Sequence, residues 1–219
     1  LLPIAFILWR QNRIKELVKY YATTAAIWLA INAPFALTTP TGWWRFYKLN
    51  LERGADWGSI WLALDRLGLG LTNLNYLALL FLLIGMTSVA IFLFKLRSTP
   101  SLASIAFIVL ATVMVASKVY SPQYVLWLTP LAVIALTTSK DLHAFWVWQT
   151  GEIIYHVAIW QYLALFTGAH FGLPAGGYAW LTIARIATTL YLIWAVGKRA
   201  LRARNPQESR SDLRLRPLS

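Results

Sequence analysis

Long apolar runs recur along this chain with short polar breaks between them, and they constrain its fold more than any other feature. Crossing the ~30 Å hydrocarbon layer of a bilayer takes about 20 helical residues. Helices are the expected spanning element because they satisfy their backbone hydrogen bonds internally. Composition agrees, since 58% of the residues are hydrophobic and only 13% are charged. The sequence therefore predicts an all-α, polytopic transmembrane helix bundle.

Seven apolar segments are predicted. Residues 1–9 supply about half a span, which we interpret as a truncated transmembrane helix that begins upstream, in a larger protein. A signal peptide is the alternative, but it needs a charged lead and a small-residue cleavage site, and neither is present. Residues 10–197 are predicted to hold six further spans and an outer loop at 39–73. The spans are placed at 20–38, 74–94, 102–117, 124–137, 143–166 and 178–196.

The distribution of Lys and Arg predicts the orientation, because short loops rich in these residues stay in the cytoplasm. With residues 198–219 as a basic, disordered cytoplasmic tail, most basic residues fall on inner segments. The outer segments then hold a minority, namely Arg45, Lys48, Arg53, Arg66 and Lys118. The loop 39–73 is therefore expected on the extracytoplasmic face.

The net charge of +12 has two interpretations. Topological signals and contact with anionic lipid headgroups account for most of it. Nucleic-acid binding is the rival, but the charge is not gathered on a soluble domain, so no nucleic-acid partner is expected. The chain has no Cys, and we find no phosphate-binding glycine loop and no His/Glu metal motif, so neither a cofactor nor a metal site is expected.

The outer loop is the first candidate site, because it mixes aromatic residues with groups that bind phosphate well. Its second part, residues 56–68, has apolar residues at helical spacing, which predicts a short amphipathic helix lying flat in the headgroup layer. Simple anchoring by Trp43, Trp44, Trp57 and Trp61 at the interface is the alternative. The charged candidates in this loop are Arg45, Lys48, Glu52, Arg53 and Asp56.

A polar stretch between two apolar segments, residues 118–124, is the second candidate. Pro122 breaks the helix there, and the freed backbone groups must find partners in protein or water. A tight turn that requires proline would explain Pro122 alone. The other side chains suit a hydroxyl-rich or phosphate-bearing ligand: Lys118, Tyr120, Ser121, Gln123 and Tyr124.

The third candidate is an intramembrane polar group. Gln149, Glu152 and His156 share one helical face, and Arg185 lies in the last span. At about 1.5 Å per residue, Glu152 and Arg185 lie about 14 and 18 Å from the inner ends of their helices, so an ion pair between them is feasible. A structural pair and a catalytic or transport role are the alternatives.

Two segments carry a resemblance to a known family. Segment 52–59 reads Glu-Arg-Gly-Ala-Asp-Trp-Gly-Ser after a Trp/Tyr-rich lead, and segment 120–130 reads Tyr-Ser-Pro-Gln-Tyr-Val-Leu-Trp-Leu-Thr-Pro at a helix start. With them, residues 1–197 resemble the C-terminal part of the bacterial GT-C-type membrane glycosyltransferases of glycosyltransferase family 87. The resemblance implies a GT-C-like bundle in the bacterial cytoplasmic membrane.

The implied activity is transfer of a mannosyl or arabinofuranosyl residue from a polyprenyl-phosphate donor to a glycolipid or cell-envelope glycan outside the membrane. The catalytic carboxylate is implied to lie upstream, so no catalytic residue is expected in this sequence. Glu52 and Asp56 would act as orienting carboxylates. The implied donor-binding residues are Arg45, Lys48, Arg53, Lys118, Tyr120, Ser121, Gln123 and Tyr124.

Two other function classes remain open at this point. A transporter or lipid flippase would use the intramembrane polar group as an ion or proton relay. A non-catalytic membrane scaffold would need only the interface anchors and the topology. The outer position of the two polar clusters favours surface chemistry over passage.

Overall fold

The structure is a computed structural model that describes residues 1–136 and 141–202, and within those ranges every regular element is helical. One 3₁₀ turn, Pro122–Tyr124, leads directly into α7. The nine α-helices of these ranges are α1 (Leu2–Arg10), α2 (Ile14–Thr38), α3 (Pro40–Glu52), α4 (Ile60–Arg66), α5 (Leu74–Lys95), α6 (Leu102–Ala116), α7 (Val125–Ala135), α8 (Leu142–Phe166) and α9 (Ala175–Arg202).

Polar contacts define two ends of the bundle. At the loop end, Lys118, between α6 and α7, donates to the Asn75 side chain at the start of α5. At the basic end, Arg10 of α1 donates to the carbonyl oxygen of Arg97, just after α5, at 3.2 Å. Helix α5 therefore runs from the loop end to the basic end.

The core is centred on α6, which packs against α1, α5, α7 and α9. Its Ile105, Phe107 and Ala111 are completely buried. Helices α8 and α9 form the most extensive pair, and they approach closely at Gly151, where an added Cβ would lie 2.3 Å from the Thr188 hydroxyl oxygen. A side chain at residue 151 would therefore require Thr188 to shift.

Among the described residues, two helices are both long enough and apolar enough to cross a membrane: α5 and α9. They coincide with the segments predicted at 74–94 and 178–196. Helices α6 and α7 are apolar but shorter. Helices α2 and α8 have 25 residues each but do not meet the combined criteria of length, hydropathy and low charge that α5 and α9 meet. The prediction of an all-helical chain is confirmed for the described residues, whereas the full set of seven spans stays a prediction.

The outer loop is more ordered than the sequence indicated. Residues 40–52 form α3 within the predicted loop 39–73, because Pro40 and Gly42, which are typical of a helix end, here lie in the first turn of a new helix. Pro40 occupies the first turn of α3, where proline costs nothing since its missing N–H would be unpaired. The Trp43 and Tyr47 rings, four residues apart, pack together at 4.9 Å between centroids.

The predicted flat surface helix at 56–68 is wrong in its bounds and its environment. Helix α4 begins only at Ile60, after the Ser59 side chain caps it by accepting a hydrogen bond from the Leu62 N–H. Its apolar face packs on α9, and Trp61 is 4% exposed. The Trp61 Nε1 donates to the Ala116 carbonyl at 3.0 Å, so this ring is a core residue and not an interface anchor.

The predicted tail boundary also shifts. Helix α9 continues to Arg202, past the predicted end of the last span at 196. It is held there by an ion pair between Arg199 and Asp141, at the start of α8. The remainder of the predicted tail, residues 203–219, and Lys140 lie outside the described residues.

Candidate functional site

A buried ion pair lies between α8 and α9. The Arg185 Nε is 3.0 Å from each carboxylate oxygen of Glu152, and Nη2 is 3.0 Å from one of them. The two residues are 0% and 1% exposed. The predicted Glu152–Arg185 pair is therefore confirmed. Because both side chains are buried, loss of either one would leave an unpaired charge in the protein interior, which is costly.

The Arg185 guanidinium also binds segment 120–130. Its Nη1 donates to the Tyr120 carbonyl oxygen at 2.6 Å and its Nη2 to the Ser121 carbonyl oxygen at 3.3 Å. The planar group lies between two rings, 3.7 Å from the Tyr120 centroid and 4.2 Å from that of Tyr155. A guanidinium group is planar, so it can stack on aromatic rings and donate several hydrogen bonds in its own plane at the same time. The ammonium group of a lysine cannot do both.

Tyr120 is a core residue and not part of an open sugar pocket. It is completely buried, with its hydroxyl 3.3 Å from Glu152 and 3.1 Å from Thr189. Burial, and then the Glu152 charge, raise the pKa of Tyr120 to about 12, so the phenol keeps its proton. Tyr124 stacks outside it on the Tyr120 ring, and Gln123 is exposed. Of the sugar-binding candidates in this segment, Tyr120 is therefore inaccessible.

Segment 52–59 lies directly beside segment 120–130. The Asp56 N–H donates to the Lys118 carbonyl oxygen at 2.9 Å, and the Tyr120 N–H donates to the Trp57 carbonyl oxygen at 3.3 Å. The Gly58 N–H donates to the Tyr178 hydroxyl at 3.0 Å. The two segments that carry the family resemblance thus form one unit on the α8–α9 core.

Gly58 is the tightest point of this unit. Its φ is +74°, a conformation that favours glycine. An added Cβ would lie 2.1 Å from the Tyr120 carbonyl oxygen and 2.7 Å from both Arg185 Nη1 and the Tyr155 hydroxyl. A side chain at residue 58 would therefore push segment 120–130 away from Arg185.

Lys118 joins three parts of the loop end. Its Nζ donates to the carbonyl oxygens of Asn50 and Arg53 at 2.8 and 2.7 Å, and to the Asn75 amide oxygen at 2.6 Å. Partial burial, and then the charge of Arg53, lower the pKa of Lys118. All three ammonium donors have protein acceptors here, so a bound phosphate would have to displace one of them.

The remaining charged candidates lie on or after α3, at the surface. Arg45 is exposed, and Lys48 lies 3.7 Å from Glu52 in a pair whose side chains are more than half exposed. Arg53 pairs with Asp56, whose other oxygen accepts the Trp57 N–H at 2.6 Å. Among the charged candidates of the outer loop, the accessible cations are therefore Arg45, Lys48 and part of Arg53.

The four polar residues that were predicted to form an intramembrane group do not all contact one another. The Gln149 amide donates to Thr129 on α7 at 3.3 Å. The His156 Nδ1 contacts the backbone oxygen of Glu152 at 2.7 Å, within its own helix. Only Glu152 and Arg185 bind each other through their side chains, so the predicted four-membered cluster is reduced to a pair.

Several important residues were not predicted from sequence. Gly58 lies in segment 52–59, but the sequence alone assigns it no role, because its positive φ and its close neighbours depend on the fold. Tyr155, Tyr178 and Thr189 read as ordinary positions on helical segments. Tyr155 follows Glu152 by three residues, which was the one available signal that it shares the buried face.

Within residues 1–136 and 141–202, no group of three or more His, Cys, Asp or Glu side chains is placed to hold a metal ion. Comparison with known proteins found no match to any family model, any curated protein or any solved structure.

Proposed function

We propose that this chain is part of a multi-span bacterial membrane glycosyltransferase that takes a mannosyl or arabinofuranosyl residue from a polyprenyl-phosphate donor. The acceptor would be a glycolipid or cell-envelope glycan on the extracytoplasmic side. The observation that carries the proposal is the meeting of segments 52–59 and 120–130 on Arg185. A shared functional surface requires the two segments of the resemblance to be neighbours, and they are.

The apolar surface supports placement in a membrane. Helix α5 buries only Val89 and Leu93 in the protein. Its outward face carries large apolar side chains that are more than half exposed: Leu79, Leu80, Phe81, Leu83 and Ile84. Soluble monomers rarely expose contiguous apolar patches beyond a few hundred Å². Lipid chains are a suitable environment for such a face.

The loop end offers a place for the donor phosphate. Arg45 and Lys48 lie on one turn of α3, with Trp44 exposed beside them, where aromatic rings favour the membrane interface. We assign the phosphate contacts to Arg45, Lys48 and the free edge of Arg53. Lys118 is reassigned to holding the loop end together, because its donors are already used.

The chemistry needs a base for the acceptor hydroxyl and cations for the departing lipid phosphate. Arg45 and Lys48 would supply the second requirement. Asp56 is held by Arg53 and the Trp57 N–H, which fits an orienting role. The base is expected upstream, as the resemblance implies, so every activity test uses the full-length protein.

A transporter is less well supported. A relay needs polar groups that hydrogen-bond to one another across the membrane. Gln149 and His156 instead bind Thr129 and a backbone oxygen. The Glu152–Arg185 pair is sealed from solvent and satisfied by protein groups, which suits a structural pair.

The test is a transfer assay with membranes that contain the full-length protein. Labelled polyprenyl-phosphate mannose and polyprenyl-phosphate arabinofuranose are supplied separately, and lipid and glycan products are extracted. We expect label to move from one of the two donors. Absence of transfer from both, with the protein present in the membrane, would overturn the proposal and leave the scaffold.

Matched variants test the donor site. Arg45→Ala/Lys48→Ala should lower transfer at subsaturating donor by at least about tenfold, since each charged hydrogen bond contributes roughly 1.5–3 kcal/mol. Arg13→Ala/Lys15→Ala removes the same charge at the basic end and should leave transfer unchanged. Equal losses in both variants would contradict the assignment of phosphate binding to α3.

A further inference from the structure

An apolar groove of about 660 Å³ opens on the side of the bundle and shares no residue with the Glu152–Arg185 site. Helix α6, which packs against both α5 and α9, contributes its middle, and α5 and α9 contribute its sides. The lining is almost wholly apolar, with Phe92, Ile108 and Ile193 among its members. Its surface therefore suits hydrocarbon.

The length of the groove matches one leaflet of a bilayer. On α5 it extends from Phe81 to Phe92, and on α9 from Leu190 to Leu201. Each stretch measures about 16 Å at about 1.5 Å per residue. Half of a ~30 Å hydrocarbon layer is about 15 Å. One acyl chain that enters from one side of the membrane would fill it.

A positive charge lies at one end only. Lys198 lines the groove near the basic end, where α9 is about to finish. Its Nζ lies 4.4 Å from the centroid of the Trp194 ring, which holds the ammonium group at the mouth. Among the residues described by the structure, Lys198 has no carboxylate partner. A negatively charged lipid headgroup at this position would pair with the Lys198 ammonium group.

We propose that this groove binds one anionic phospholipid, with an acyl chain between α5 and α9 and its phosphate at Lys198. The lipid would come from the leaflet at the basic end. The inference rests on the membrane placement of the proposed function but not on sugar transfer. A protein that binds this lipid and transfers no sugar would therefore contradict the proposed function alone.

Native mass spectrometry of the detergent-purified full-length protein tests the site. It is titrated with dioleoyl phosphatidylglycerol and, separately, with dioleoyl phosphatidylcholine, which has the same chains and no net charge. We expect phosphatidylglycerol to bind about fivefold more tightly, the change produced by one lysine contact at a membrane surface. Equal affinities would overturn the proposal.

Charge-matched variants locate the headgroup. Lys198→Gln should remove the preference for phosphatidylglycerol. Lys95→Gln, which removes an exposed charge from the same end of α5 without touching the groove, should retain it. A preference that survives Lys198→Gln would overturn the headgroup assignment.

Groove-filling variants locate the acyl chain. Ser88 lines the groove and is exposed on α5, so Ser88→Phe should weaken both lipids by about tenfold, the effect of displacing about two methylene groups. Thr87→Phe places the same ring at an exposed neighbouring position outside the groove and should change nothing. If Ser88→Phe leaves lipid binding unchanged, the groove is not the lipid site. If the protein is a dimer that Ser88→Phe dissociates and Thr87→Phe does not, a second copy of the chain occupies the groove and the lipid proposal is wrong.

Discussion

The Nε of Arg185 lies 3.0 Å from both carboxylate oxygens of Glu152, and the same guanidinium donates to two carbonyl oxygens of segment 120–130. One arginine on α9 therefore joins α8 to the loop end. Segment 52–59 is joined to the same core, because its backbone forms hydrogen bonds with the backbone of residues 118–120. Arg185 therefore helps to position both segments, together with the Tyr178 hydroxyl, which binds Gly58, and Lys118, which binds Arg53.

Loss of Arg185 should be severely destabilising. Arg185→Leu leaves the buried Glu152 carboxylate without its cationic partner, which costs about 3–5 kcal/mol. The double variant Arg185→Leu/Glu152→Leu should recover part of the loss, because it removes the stranded charge. Thermal unfolding of the detergent-solubilised protein measures both.

The exposed pair Arg13–Glu16 supplies the control for that experiment. Glu16→Gln should cost under about 1 kcal/mol, as for other surface pairs. An Arg185→Leu protein as stable as the Glu16→Gln protein would contradict the structural role of the buried pair.

A methyl group at residue 58 should separate the two segments. In Gly58→Ala the Cβ meets the Tyr120 backbone oxygen at 2.1 Å in a positive-φ conformation. We expect a loss of several kcal/mol, of the order of other strained or overpacked sites. Gly54→Ala, four residues earlier, meets no atom within 4 Å and should be close to neutral. Similar unfolding temperatures for the two variants would count against the packing at Gly58.

Much of the fold could be predicted from the sequence, because apolar runs and polar breaks are local signals. The helical segments at 74–94 and 178–196 coincide with α5 and α9. Helix α3 was missed, since a Trp-rich segment that begins with proline reads equally well as a loop. The environment of Trp61 was also missed, because spacing identifies an apolar face but not whether lipid or α9 covers it.

The site could be predicted only in part. Ionisable residues inside apolar segments are rare, so Glu152 and Arg185 were recognisable as partners. The neighbours of Lys118 were not, because Asn50, Arg53 and Asn75 come together only when α3, α5 and the end of α6 meet. Surface charge and buried charge look alike in a sequence.

Removal of the Lys118 ammonium should loosen the loop end. Lys118→Met keeps the chain length but leaves the Asn50 and Arg53 carbonyl oxygens without this donor. Hydrogen–deuterium exchange should rise in residues 49–53 and at the start of α5. Lys48→Met, on the exposed face of α3, should leave exchange in those residues unchanged. Equal protection in both variants would show that Lys118 does not hold these parts together.

Trp61 and Trp44 should respond differently to the same change. Trp61→Phe removes the hydrogen bond to the Ala116 carbonyl and leaves a gap in the core, at a cost of about 1–3 kcal/mol. Trp44→Phe changes a ring that is 50% exposed and should cost little. Thermal unfolding of the two variants measures the difference. A larger loss of stability for Trp44→Phe than for Trp61→Phe would contradict the core position of Trp61 and favour the interface.

In the proposed topology, the bundle crosses a membrane with its loop end outside and its basic end inside. Residues 1–219 contain no Cys, so cysteines introduced here one at a time can be labelled with a membrane-impermeant maleimide in spheroplasts before and after permeabilisation, against the protein without an introduced cysteine. We expect Gly54→Cys to be labelled in intact spheroplasts, whereas Arg13→Cys should be labelled only after permeabilisation. Labelling of both before permeabilisation, or the reverse order, would contradict it.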